Sequence, residues 1–80
     1  MHISTPLWKE AAVLVRDMGD GERRIADEGS LFAVVKRIAG LPDAEWHRYA
    51  INLPDRHTVP FSYTPEEFRS LLYAHMRFRE

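Results

Sequence analysis

The stretch "AAVLVRDMGDGERRIAD", residues 11–27, decides how the chain is read, because it carries two incompatible apolar patterns. Read as alternation, Val13 and Val15 share one face of a strand, Gly19, Asp20 and Gly21 make a tight turn, and Ile25 lies on the returning strand. Read at helical spacing, Leu7, Trp8, Ala11, Leu14, Val15 and Met18 form one stripe that starts at Thr5 and Pro6 and stops at Gly19. The Val-Leu-Val run and the Asp-Gly pair favour the hairpin, since branched side chains suit a pleated surface and Gly supplies the positive φ of a tight turn. A helix over residues 5–18 is the alternative, and it would give three helices and a hairpin in the C-terminal half.

The elements beyond this stretch are marked more plainly. In "YTPEEFRSLLYAHMRF", residues 63–78, Thr64 is an N-cap, Pro65 takes the first helical position, and Glu67 closes a capping box with Thr64. Tyr63 and Phe68 stand at the positions of a hydrophobic staple. Phe68, Leu71, Leu72, His75, Met76 and Phe78 then share one side, while Glu66, Arg69, Ser70, Tyr73 and Arg77 point away. A second helix is set by Leu31, Val34, Val35 and Ile38, with Asp27 or Ser30 as cap and Gly40 as stop. Leu41 and Pro42 after that glycine suggest an αL terminus, and "PDAEW" adds one further turn.

Between the helices, Tyr49, Ile51 and Leu53 alternate with polar positions, and Val59, Phe61 and Tyr63 do the same. The intervening "PDRH" presets a turn, so residues 47–53 and 58–63 read as the arms of an antiparallel hairpin. Opposing their apolar faces requires an odd connection, of about three or five residues. Pro60 cannot donate to a ladder, which places its strand at an edge. The fold class is therefore α+β: a small antiparallel sheet with two helices packed on one face, in the order ββαββα. The two ββα halves share a layout but no residue pattern.

Size and charge narrow the functions. Eighty residues form one compact domain over 1–80, with residues 1–8 as a flexible lead-in. A chain this short buries only roughly 60% of its unfolded surface, which leaves little stability for strained catalytic groups. The absence of cysteine removes disulfides, thiolate nucleophiles and Cys-ligated zinc, and it fits a reducing cytoplasm. In "MHISTPLWKEAAVLV", Lys9 and Glu10 interrupt the apolar run and no basic leader precedes it, so neither a secretory signal nor a membrane span is expected. Eleven Lys and Arg against twelve Asp and Glu argue against a general coat for nucleic acid or anionic membrane.

"HRYAINLPDRHTVPF", residues 47–61, gathers the side chains that most resemble a site. On a regular ladder rising about 3.3 Å per residue, His47 at its open end and His57 at its turn stand roughly 26 Å apart, too far to share a metal. Asp55, Arg56 and His57 then read as solvent-facing turn residues. His75, on the apolar side of the last helix, reads as a half-buried imidazole or an interface group. Asp17, Asp20 and Glu22 lack a calcium-loop pattern, and Ser4, Ser30, Ser62 and Ser70 stand in no nucleophile elbow. No enzymatic activity and no bound cofactor or metal are expected.

What remains is recognition. Arg69, Tyr73 and Arg77 recur on the outer side of the last helix, and Trp46 and Arg48 are expected on the sheet face away from the core. These five are the candidate partner-binding residues, the partner being another protein or a second copy of the chain. An open sheet edge is a further candidate surface. The rival reading is a nucleic-acid-binding regulator that uses the Arg stripe with Arg23, Arg24, Lys36 and Arg37.

Overall fold

The computed structural model describes residues 7–78. It resolves the opening alternative as a hairpin: β1 spans Ala11–Asp17 and β2 spans Arg23–Ser30, and they pair antiparallel. The turn lies where the glycines stand. Met18 N–H donates to the Glu22 carbonyl at 2.8 Å, and Gly19, Asp20 and Gly21 between them all take positive φ, at 94°, 29° and 77°. Asp17 Oδ1 accepts the Gly19 N–H at 2.9 Å, so this aspartate serves the turn.

α1 (Leu31–Ala39) follows β2 without a linker, and Ser30 is its cap, with its hydroxyl accepting the Ala33 N–H at 3.2 Å. The two remaining early donors are met by the segment that leads into β1, which lies beside Ser30 because Ala11 pairs with it. Leu31 N–H donates to the Glu10 carbonyl at 2.8 Å and Phe32 N–H to the Trp8 carbonyl at 2.9 Å. Trp8, counted with the lead-in by sequence, is thereby pinned and lies in the core. Residues 1–6 lie outside the described residues. The expected αL terminus of α1 is corrected: Gly40 has φ −86°, and the helix closes through Gly40 N–H to Arg37 O at 3.1 Å and Leu41 N–H to Ile38 O at 2.9 Å.

A 3-10 turn over Asp43–Arg48 leads into β3 (Tyr49–Asn52), which pairs with β1, and β4 (Ser62–Tyr63) pairs with β3. The sheet order is β2-β1-β3-β4, antiparallel throughout, with β2 and β4 as edges. α2 (Pro65–Arg77) closes the chain with Pro at its start and the capping box formed; Glu67 accepts the Thr64 backbone N–H at 2.9 Å. The order is ββαββα with both helices on one side.

Faces follow from register. Ala12, Leu14, Ile51 and Tyr63 meet Leu31, Val34, Val35 and Ile38 of α1 and Phe68 and Leu71 of α2 in one core. Val15 pairs with Ile25, and both share with Val13 the face opposite Leu14, away from the helices. Ile25 is accordingly 62% exposed. Met76, expected on the buried side of α2, is 81% exposed because it stands at the margin of the face that Phe68, Leu71 and His75 turn to the core.

Candidate functional site

The expected second hairpin is corrected in length and kept in parity. Only Ile51↔Tyr63 and Asn52↔Ser62 are paired, with Leu53 N–H donating to the Phe61 carbonyl at 2.9 Å beyond them. Apolar positions still oppose apolar positions. The connection, however, runs from Leu53 to Phe61, longer than the usual hairpin loop of about 2–5 residues. His57 lies inside that loop, so the ladder spacing between the two histidines does not apply. Among the described residues no three His, Asp or Glu side chains gather as metal ligands.

Arg56 explains the loop. Read from sequence as solvent-facing, it is turned inward: its Nε donates to Glu10 Oε1 at 3.1 Å, its Nη2 bonds Glu10 Oε2, and its Nη1 donates to the Pro60 carbonyl at 3.0 Å. The guanidinium also lies 5.8 Å from the Tyr63 ring centroid, a cation–π distance. The Arg56 and Glu10 side chains are only 10% and 13% exposed. The Glu10 hydrogen bond, opposed by burial and aided by Tyr63, holds the guanidinium pKa above its ordinary value. Forked Arg–carboxylate geometry fixes orientation as well as distance, so the loop is tied to the segment before β1. Outside this clamp the loop presents Val59, 78% exposed, and Phe61, 53% exposed. The alternation that placed Val59 and Phe61 with Tyr63 on a buried face holds only for Tyr63.

The candidate residues divide. Trp46 is corrected: it sits in the 3-10 turn, buried, with its ring edge-on to Phe68 at 6.1 Å, because the turn folds it under α2. Arg48 is exposed at the end of that turn and lines an open depression with Asp17, Gly19 and His47. Arg69 reaches back to the same turn, 3.3 Å from Asp43 and 5.6 Å from the Trp46 ring centroid. Arg77 lies over Tyr73 at 5.5 Å and donates to its hydroxyl at 3.3 Å. Tyr73 remains exposed. The stripe exists as a row, with each guanidinium already holding a partner.

His75 is not part of that row. It stacks on Phe32 at 4.3 Å and stands edge-on to Trp8 at 5.6 Å, with Phe78 against both of those rings. Its Nε2, like Trp46 Nε1 and Arg16 Nε, is buried without a hydrogen-bond partner among the described residues. No helix of the described residues is long and apolar enough to cross a membrane. The chain matches no family model, no curated protein and no solved structure.

The Glu10–Arg56 clamp escaped the sequence reading because its partners are 46 positions apart. The one local signal was an Arg within a Pro-rich connection, which fits a solvated turn equally well.

Proposed function

We propose that this protein is a non-catalytic interaction module that recognises another protein through its 53–61 loop. The observation that carries the reading is the pairing of a largely buried Arg56–Glu10 clamp with the exposed Val59 and Phe61 it positions. Desolvating two charges is costly, and a small domain gains little net stability from it. What it gains is a loop held in one shape before binding, which lowers the entropy lost on association. An apolar aromatic anchor on a rigid loop is the usual centre of a protein contact. Tyr73 and Met76 on α2 offer a second apolar patch flanked by Arg69 and Arg77. The cysteine-free composition fits a reducing cytoplasm.

Placing a photo-crosslinking amino acid at position 61, with the exposed Lys36 position as control, tests this in cells. A discrete protein adduct at position 61 alone, abolished by Val59→Asp in a chain with unchanged circular dichroism, is the expected result. Equal labelling at both positions, or none, overturns it. The nucleic-acid reading rests on the same Arg row, whose guanidiniums are engaged with Asp43, Trp46 and Tyr73. Oligonucleotide binding that weakens steeply with salt and is lost in Arg69→Ala/Arg77→Ala would favour it.

A further inference from the structure

β2 is an edge strand with an unusual order of charges. Its first six residues, Arg23, Arg24, Ile25, Ala26, Asp27 and Glu28, run from two bases through an apolar centre to two acids. In a regular strand Arg23 and Glu28, five positions apart, would point to opposite faces. The ladder with β1 is not regular: Leu14 opposes Asp27 while Val15 opposes Ile25, which leaves Ala26 as an inserted residue. Arg23 and Glu28 oppose Asp17 and Val13, so they share the outer face with Ile25; Arg24 and Asp27 oppose Arg16 and Leu14, so they share the inner one.

We infer that a second copy of this chain pairs with the β2 edge, antiparallel, about a two-fold axis between Ile25 and Ala26. In that register Arg23 of each copy faces Glu28 of the other on the outer face, and Arg24 faces Asp27 on the inner face. The exposed Ile25 side chains meet beside the axis, giving an apolar centre with a charged rim. The pairing also relieves a defect of the single chain, since Arg24 lies directly opposite Arg16 and gains a carboxylate partner. Charges and a bulge on an edge ordinarily repel neighbouring strands. Here the bulge brings each base into phase with the acid of its symmetry mate, so the same features select one partner and one register. The inference rests on the reading of the protein as an interaction module, but uses the edge opposite to the 53–61 loop.

The test is the solution mass by sedimentation over a concentration series of the full chain. Wild type is expected to dimerise. Arg23→Glu/Arg24→Glu and Asp27→Arg/Glu28→Arg each set four like-charge pairs across the axis and weaken the dimer by about 100-fold or more. An equimolar mixture of the two variants forms a heterodimer, and a chain carrying all four changes dimerises again. A wild type that stays monomeric at every concentration, or a dimer indifferent to both reversals, overturns the inference. Either result leaves the crosslinking at position 61 untouched, so the two proposals fail separately.

Discussion

Arg56 and Glu10 are joined by two hydrogen bonds across 46 positions of sequence, and this single fork decides where the loop before β4 lies. The Arg56 side chain is covered by its immediate neighbours, yet it lies in the shell of a small domain with few atoms further out. Removing one partner leaves the other charge covered and uncompensated, at a cost below that of a deep interior pair. Glu10→Gln and Arg56→Ala should each lower stability by about 2 kcal/mol in urea titration, and the double change should cost less than their sum. Additive losses would show that the two side chains do not interact.

The hairpin at Gly19–Gly21 depends on backbone freedom and not on space. A Cβ at Gly19 or Gly21 would meet nothing within 4 Å, yet both residues hold a left-handed φ. Gly21→Ala should therefore destabilise by about 1 kcal/mol with no change in core packing. Chemical denaturation measures the loss, and a neutral result would contradict the turn conformation.

His75 gives a sharper test of packing against polarity. Its Nε2 is buried without a partner, while its ring stacks on Phe32. His75→Phe keeps the ring and removes the orphaned nitrogen, so stability should rise or stay within about 1 kcal/mol of wild type. His75→Ala should cost about 2 kcal/mol by opening a void beside Trp8 and Phe32. A large loss from the Phe variant would mean that the nitrogen has a partner in solution.

The start of α2 should respond to acid. Hydrogen bonding from its own backbone N–H, and then from Thr64, holds the Glu66 carboxylate below its ordinary value of 4.5. A depressed folded value means that the contribution is complete above about pH 4.5 and is lost as pH falls through the folded value. Protection of the first-turn amides of α2, taken relative to the intrinsic exchange rate at each pH, should fall over that interval. Glu66→Gln should exchange faster than wild type at neutral pH and lose the part of the acid response that Glu66 carries; an unchanged profile would assign the response to Glu67 or another group.

Signals confined to a few neighbouring residues were legible in the chain alone. The Thr64–Glu67 box, the Leu31–Ile38 stripe, the Ser30 cap and the Gly19–Gly21 turn each involve residues within one or two turns, and each forms as its local chemistry dictates. Together they set the ββαββα layout. The candidate site was less legible: Trp46 passed for a surface aromatic, and Arg56 for a solvated one of many turn residues.

The sequence by itself determined the two helices with their starting caps and the order of the elements, because caps, turns and apolar periods act through bonds closed within the segment. Only the tertiary structure decided which face of β1 became the core, how far the second hairpin zipped, and which charges were buried. Those outcomes depend on partners far away in sequence: Leu14 faces inward because α1 and α2 cover that side, and β4 is short because Arg56 turns back to Glu10 and the Pro60 carbonyl. Alternation records that a strand has two faces, but the choice between them is made by whatever packs there first to exclude water.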